Sequence, residues 1–281
     1  MNSENLQTKW GQFIPLAIVF FFWGFVAASN DILIPVFKTA FNLTQSESQW
    51  VSLAFYIAYT VGSLIYMGIS ILIKEDIVNK IGYKNGLALG LTISAVGTLL
   101  FYPAANTGSF PLMLSGLFIV ALGFSLQQTV ANPLAIALGP IATGSQRLTM
   151  AGGINNLGTT IGPLIVSYAI FGANTNATTT MSIESVKIPY LILGSAFLLV
   201  AILLKFSSIP ERPATILEVA DETTTTKKTA LQYPQLVLGM IAIFLYVGVE
   251  VSTASNLPAY METHLGFLTQ DVAPYISLYW A

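Results

Sequence analysis

Residues 13–37 read FIPLAIVFFFWGFVAASNDILIPVF, a run in which Asp31 is the only charged side chain. A hydrocarbon core about 30 Å thick needs about 20 mostly apolar residues per helix, so this run predicts a membrane-spanning helix. A cleavable signal peptide is the alternative, because Lys9 precedes the run and Val26-Ala27-Ala28 loosely resembles a cleavage site. The run is, however, longer than the apolar region of a signal peptide, which has about 7–15 residues.

Similar apolar runs recur along the chain and predict a bundle of membrane helices. They are Trp50–Ile73, Gly86–Tyr102, Phe110–Leu138, Leu148–Phe171, Ile188–Phe206 and Leu236–Tyr260. An eighth run starts near Val272 and reaches Ala281. Ten helical residues rise about 15 Å, half of a hydrocarbon core. We therefore expect the chain to be a fragment of a longer protein.

The composition agrees with a chain that lies mostly in a lipid bilayer. Hydrophobic residues make up 54% of it and charged residues 9%, whereas soluble domains carry about 25% charged residues. A net charge of -2 gives no reason to expect a nucleic-acid partner. There is no cysteine and His264 is the one histidine, so disulfides and cysteine or histidine metal clusters are excluded. We expect a monomer in the bilayer with no metal and no cofactor.

Basic residues are divided unequally between the loops. If the amino terminus is cytoplasmic and the spans alternate, the outer segments hold only Lys38 and Lys187. The inner segments then hold Lys9, Lys74, Lys80, Lys84, Arg147, Lys205, Arg212, Lys227 and Lys228. Positive charge concentrates on the cytoplasmic side of membrane proteins, so the sequence predicts a multi-pass protein of the cell inner (plasma) membrane with a cytoplasmic amino terminus.

One polar loop suggests the domain organisation. Residues 207–233 carry charges of both signs and a run of four threonines, a composition that does not bury a core. Six spans, a polar cytoplasmic linker and further spans are typical of transporters built from two six-helix halves. We therefore expect a first half over 1–206, a linker over 207–233 and the start of a second half over 234–281.

Two carboxylates lie well inside predicted spans, Asp31 and Glu250. Burying either one costs at least about 2.5–3.5 kcal/mol, so both are candidates for function. An apolar cavity disfavours the anion, and the group can then take up a proton near neutral pH. Proton coupling is therefore predicted for both residues. For Asp31 the alternative is a residue near the helix end that reaches to the outer surface.

Amide side chains cluster in the fourth and fifth spans. Gln128 and Asn132 are four residues apart and share a helix face, Gln127 is adjacent, and Asn155 lies in the fifth span. Amides donate and accept hydrogen bonds, as a neutral polyhydroxyl ligand requires. Hydrogen bonding between helices is the alternative role. Gly158 and Gly162 are better explained by close helix packing, and Trp23 either stacks on a sugar or is an ordinary apolar contact.

These residues resemble a known family. Asn30-Asp31-Ile32-Leu33-Ile34-Pro35 and Thr129-Val130-Ala131-Asn132-Pro133 are similar to the signature helices of the fucose/galactose/glucose–proton symporters, a branch of the major facilitator superfamily. Arg147-Leu148 with Asn155, and Tyr246-Val247-Gly248, fit the same branch. The resemblance covers almost the whole chain, as the first two-thirds of a typical member.

The resemblance implies an all-α membrane bundle of the major facilitator type, truncated to one six-helix half and the start of the second. It implies hexose–proton symport by alternating access, with the proton as coupling ion. The implied sugar-contacting residues are Asn30, Asp31, Gln127, Gln128, Asn132, Asn155 and Glu250. Fucose symporters carry glutamate where this chain has Gln128, whereas the glucose/galactose branch carries glutamine there and glutamate at the position of Glu250. The chain is therefore more similar to the glucose/galactose branch.

Three other functions compete with symport. A different carrier of the superfamily, such as a drug or organic-anion antiporter, shares the fold, although an anion carrier is expected to have basic residues inside its spans. A truncation product without transport activity is the second. A membrane enzyme is the third, and we expect none, because the chain has no HExxH sequence, nucleophile elbow or P-loop.

Overall fold

The chain folds into a bundle of long helices, described by a computed structural model over residues 7–172, 183–213, 230–268 and 271–281. Within these ranges we label eight helices. They are α1 (Trp10–Ala40), α2 (Trp50–Ile73), α3 (Tyr83–Leu99), α4 (Phe110–Ala137), α5 (Gly144–Phe171), α6 (Lys187–Phe206), α7 (Pro234–Leu265) and α8 (Ala273–Trp280). The predicted helices are confirmed, with ends that differ from the predicted ones by up to five residues.

Short helices connect some of these elements. Gln45–Ser48 precedes α2, Ile77–Ile81 precedes α3 and Phe101–Thr107 follows it. Proline causes the break after α3, because Pro103 has no N–H to donate to the carbonyl of Leu99. Helices α1, α4, α5 and α7 each continue through an internal proline.

Six helical segments of the described chain are long and apolar enough to cross a membrane. They are Trp10–Ala40, Gln45–Ile73, Tyr83–Thr107, Phe110–Ala137, Ile183–Phe206 and Pro234–Leu265. Helix α5 is long enough, but its asparagines, threonines and glycines make it too polar for this set. Its polar residues Asn155 and Thr159 face the interior of the bundle. The protein is a multi-pass membrane protein.

Glycines allow two helix pairs to pack at close range. In the pair of α1 and α5, Gly24 lies against the backbone of Asn155, and Gly158 and Gly162 lie against the backbone around Phe21 and Phe25. A methyl group at any of the three would overlap the facing backbone, so the packing role expected for Gly158 and Gly162 is confirmed.

The second glycine-mediated pair, α3 with α4, was not predicted. Gly90 faces Gly123 across this contact, and Gly97 faces Gly116. Ser94 lies between these two crossings and donates to the carbonyl of Val120 at 3.0 Å. Close backbone approach therefore holds α3 and α4 against each other.

The connections at one end of the bundle are hydrogen-bonded to one another. The Nζ of Lys84 donates to the carbonyl of Ser207 at 2.9 Å, and the backbone N–H of Tyr83 donates to the carbonyl of Glu211 at 2.9 Å. The backbone N–H of Lys9 donates to the carbonyl of Leu138 at 2.9 Å. Oγ of Ser208 donates to the carbonyl of Gly11 at 3.0 Å, so the starts of α1 and α3, the end of α4 and the segment after α6 meet at the same end.

Arg147 joins α5 to the end of α4 and is only 3% exposed. Its guanidinium donates to the carbonyls of Ala135, Ile136 and Pro140 at 3.1, 2.5 and 2.8 Å, and to Oγ1 of Thr143 at 2.7 Å. The sequence analysis assigned Arg147 to a loop before the fifth span, and that boundary was wrong. Helix α5 begins at Gly144, because the buried guanidinium holds the first turn of α5 against the end of α4.

Helices α7 and α8 lie against this bundle on one side. The second half of α7 is buried at Ala254, Ser255, Pro258 and Met261. Helix α8 is bonded to α5, since Oγ of Ser277 donates to the carbonyl of Thr160 at 2.5 Å. The division into a half over 1–206 and a linker over 207–233 stays a prediction, and positions 214–229 of that linker, with Lys227 and Lys228, lie outside the described residues.

Candidate functional site

A central cavity of about 760 Å³ lies between α1, α2, α4, α5, α7 and α8. Pockets that bind small molecules are typically about 300–1,000 Å³ and combine apolar walls with a few polar groups. The polar residues that line it are Gln49, Ser52, Thr60, Gln128, Asn155, Thr159, Glu250, Ser252, Ser255 and Asn256. The aromatic residues that line it are Trp23, Phe55, Tyr56, Tyr59, Phe244 and Trp280.

Three residues predicted from the sequence meet in this cavity: Gln128, Asn155 and Glu250. They come from α4, α5 and α7. The amide Nδ2 of Asn155 donates to the carbonyl of Phe20 at 3.0 Å, which orients the side chain from α1. Three separate helices therefore bring amide and carboxylate groups to one cavity, although their roles toward a ligand stay predictions.

Glu250 is the one charged side chain among the described residues that line the cavity. Its Oε1 accepts a hydrogen bond from the hydroxyl of Tyr246 at 2.7 Å, and its backbone carbonyl accepts one from Tyr279 at 2.9 Å. No lysine or arginine lines this cavity within the part of the chain that the structure describes. The cavity therefore offers acceptors and neutral donors, but no cation to pair with an anionic ligand.

Asp31 lies behind the cavity wall rather than in it, and it is 4% exposed. Its Oδ2 accepts a hydrogen bond from Nε1 of Trp280 at 3.0 Å. Trp280 lines the cavity. The alternative in which Asp31 reaches the outer surface does not agree with this burial.

The other predicted residues do not line the cavity. Asn30 is 5% exposed, and neither Oδ1 nor Nδ2 has a hydrogen-bond partner. Gln127 turns toward α3, where its Nε2 donates to Oγ of Ser94 at 3.1 Å, and its Oε1 has no partner. Asn132 is half-buried on α4, outside the lining set.

Tyr56 and Tyr59 are cavity residues that the sequence analysis missed. They are three apart on α2 and therefore share a helix face. The indole N–H of Trp23 donates to the hydroxyl of Tyr59, so α1 and α2 present a bonded aromatic pair to the cavity. The sequence pattern that could have predicted them is the group of aromatic residues Phe55, Tyr56 and Tyr59 within one predicted span.

A second cavity, of about 550 Å³, lies at the end of α2 near Lys74, Glu75 and Asp76. None of the predicted site residues lines it. The central cavity is therefore the one that combines the predicted residues with enclosing aromatic side chains.

The sequence model of the Major Facilitator Superfamily matches residues 16–281. The chain belongs to the major facilitator superfamily. Its fold resembles the crystal structure of the Escherichia coli fucose–proton symporter with a TM-score of 0.61 and 26% identity, over 88% of this chain and 62% of the other. The family resemblance and the all-α fold class are thereby confirmed, and the superfamily consists of transporters rather than enzymes.

Curated sugar transporters are similar to 70–94% of the chain. A glucose/galactose transporter of Brucella abortus is 36% identical over 269 residues, which cover 94% of this chain and 62% of the relative. A putative glucose/galactose transporter of Helicobacter pylori is 34% identical over 271 residues, which cover 94% of this chain and 63% of that relative. The L-fucose–proton symporter of E. coli is 34% identical over 215 residues, which cover 70% of this chain and 47% of that relative. The chain thus spans less than two-thirds of these relatives.

Proposed function

We propose that this chain is the larger part of a hexose–proton symporter that works by alternating access. The observation that carries the proposal is the central cavity, which has amide, hydroxyl and aromatic walls, one carboxylate and no lysine or arginine among its described lining residues. The relatives' names add glucose, galactose and fucose as the sugars to test.

The chemistry of the cavity suits a neutral sugar. Each hydroxyl of a hexose both donates and accepts, and Gln128 and Asn155 supply amides that do both. Glu250 supplies a strong acceptor from the opposite wall. Trp23, Tyr56 and Tyr59 supply aromatic surface for the apolar faces of the ring.

The coupling groups proposed are Asp31 and Glu250. Asp31 is buried beside the cavity and Glu250 is in its wall, so a proton and a sugar can be bound within the same region. Burial disfavours a carboxylate anion, and the neutral indole of Trp280 that donates to Asp31 does not replace a counter-ion. Protonation neutralises the group, which lowers the cost of moving helices around it.

The proposed location is the cell inner membrane, with the amino terminus and the loops between α2 and α3, α4 and α5, and α6 and α7 in the cytoplasm. These loops and the helix ends beside them carry Lys9, Lys74, Lys80, Lys84, Arg147, Lys205 and Arg212, whereas Lys38 and Lys187 lie at helix ends on the other side. Basic residues favour the cytoplasmic side. The hydrogen bonds of Lys84 and Arg147 described above support the grouping of these connections at one end.

Transport assays test the proposal. The carrier that contains this chain is reconstituted in vesicles, and uptake of labelled glucose, galactose and fucose is measured with and without an imposed pH gradient. We expect at least one sugar to accumulate only with the gradient, and a sodium gradient serves as the control for a different coupling ion. Accumulation of organic anions or drugs without any sugar uptake would favour another carrier of the superfamily. The 281-residue chain alone, assayed in parallel, tests whether it transports without further residues.

A further inference from the structure

Trp280 is in contact with both the central cavity and the buried carboxyl group of Asp31. Its Nε1 donates a hydrogen bond to Oδ2 of Asp31 at 3.0 Å. Trp280 also lines the cavity, together with Gln128, Asn155 and Glu250. Asp31 does not line the cavity and is 4% exposed. One indole ring therefore lies between the place proposed for the sugar and the group proposed to carry the proton.

We propose that Trp280 is a positioning residue that links sugar binding to protonation of Asp31, an inference that rests on the proposed coupling role of Asp31. Without sugar, the indole N–H stabilises the carboxylate. A sugar that packs against the indole turns the N–H away from Oδ2. The carboxylate then accepts a proton from a hydronium ion, which leaves as water. When the sugar dissociates, the hydrogen bond forms again and favours release of the proton.

The chemistry of the indole suits this role. Its N–H can donate but cannot accept, so it favours the anionic form of its partner over the neutral acid. A hydrogen bond weakens steeply as its angle closes, so a modest rotation of the ring is enough to break it. The ring also offers an apolar face to a sugar. Donation to Asp31 and contact with a sugar therefore depend on the orientation of the same side chain.

The backbone of α8 is held on α5, which leaves the ring of Trp280 as the part that can move. Oγ of Ser277 donates to the carbonyl of Thr160 at 2.5 Å. Oγ1 of Thr159 donates to the carbonyl of Trp280 at 3.1 Å. Trp280 itself is half-buried rather than enclosed by protein. Rotation of the indole therefore does not require α8 to leave α5.

Other ionisable side chains in this region set the background for a pH measurement. Tyr56 on α2 lies within electrostatic range of both Asp31 and Glu250 on α7. On α8, the hydroxyl of Tyr279 donates to the backbone carbonyl of Glu250. Tyrosine ordinarily titrates near pH 10, whereas Glu250 is a second possible source of pH dependence near neutral pH. Among the described residues, no lysine or arginine forms an ion pair with Asp31.

The test is the pH dependence of sugar affinity in the purified carrier that contains this chain. Glucose, galactose and fucose are titrated in turn at about pH 5.5 and about pH 8.5, on either side of the neutral range in which a buried carboxyl group can titrate. For the unsubstituted carrier we expect a higher Kd at the higher pH, because the anion of Asp31 holds the indole away from the sugar.

Trp280→Phe keeps an aromatic ring in the cavity wall and removes the N–H. Asp31 then lacks this donor with or without sugar, so sugar binding no longer changes its affinity for a proton. We expect the ratio of the two Kd values to fall on the order of 10-fold, toward one, which is the size expected for one hydrogen bond to a charged group. The Kd at low pH is expected to stay near that of the unsubstituted carrier, which also reports an intact fold.

A second variant and a control accompany this substitution. Trp280→Leu also lacks the N–H and is expected to lower the ratio as well, so the test does not depend on the folding of one variant. Trp50→Phe is the matched control, because Trp50 is 51% exposed at the start of α2 and does not line the cavity. It is expected to leave both Kd values unchanged.

Two results would overturn the link between the sugar and Asp31. The first is a curve of Kd against pH for Trp280→Phe that moves to higher pH with an unchanged ratio, because the indole would then stabilise the anion equally with and without sugar. The second is a curve identical to that of the unsubstituted carrier.

Asp31→Asn distinguishes failure of the link from failure of the proposed function. If Asp31→Asn removes the pH dependence while Trp280→Phe keeps the full ratio, Asp31 keeps its coupling role and the link is wrong. If Asp31→Asn keeps the full ratio, the pH dependence belongs to another group such as Glu250, and the coupling role of Asp31 is overturned together with the link. If none of the three sugars binds at either pH, the proposed function itself is wrong.

Discussion

Replacing Arg147 with lysine tests how the end of α4 is joined to α5. The guanidinium makes four hydrogen bonds from a site that is 3% exposed, three of them to backbone carbonyls. A lysine ammonium is a point donor and cannot match the planar fork of arginine. If at least two acceptors lose their partner, at about 1–3 kcal/mol each, the variant loses roughly 2–6 kcal/mol of stability.

The assay is thermal unfolding of the purified carrier in detergent. A loss of about 2 kcal/mol corresponds to a fall in Tm of roughly 4–8 °C by the scaling for soluble domains of 150–250 residues. Arg212→Lys is the matched control, because Arg212 is exposed at the same end of the bundle and is expected to leave Tm unchanged. Equal Tm values for Arg147→Lys and the unsubstituted carrier would refute the assignment of these hydrogen bonds to stability.

Four further predictions concern transport and orientation. Asp31→Asn is expected to abolish accumulation driven by a pH gradient while the protein still inserts, as measured by vesicle uptake and membrane content. Glu250→Gln is expected to abolish accumulation and spare sugar exchange; lower affinity with an unchanged pH dependence would instead make Glu250 a sugar acceptor alone. Gln128→Ala is expected to weaken sugar binding by about 1–3 kcal/mol, measured by titration, and unchanged affinity would assign Gln128 to helix packing. A cysteine at Ser208 is expected to be shielded from an impermeant thiol reagent in intact cells and one at Ser46 labelled, in a chain without native cysteine; the reverse pattern would invert the orientation.

The sequence by itself determined the helices and the rarity of charge within them. Hydropathy is a local property, so a run of apolar residues identifies a span whatever surrounds it. The same argument selected Asp31 and Glu250, because a carboxylate inside a span is costly wherever its partners lie. The start of α5 was missed for the opposite reason: Arg147 is a loop residue by composition and a buried residue only because the end of α4 accepts its hydrogen bonds.

Only the tertiary structure decided which side of each helix meets the cavity. Gln127 and Gln128 are neighbours in sequence, but successive residues point about 100° apart around a helix axis. Gln127 therefore bonds to Ser94 on α3, while Gln128 lines the cavity. Helical periodicity predicts which residues share a face, but it does not specify which helix that face will contact.

Contacts between residues far apart in sequence account for the rest of the site. Asp31 is bonded to Trp280, 249 positions later, and Ser52 to Ser255, 203 positions later. No local pattern links such pairs, since each side chain taken alone is an ordinary residue of an apolar helix. Asp31 and Trp280 meet because the glycine faces of α1 and α5 set how closely these helices pack, and α8 is bonded to α5 beside them.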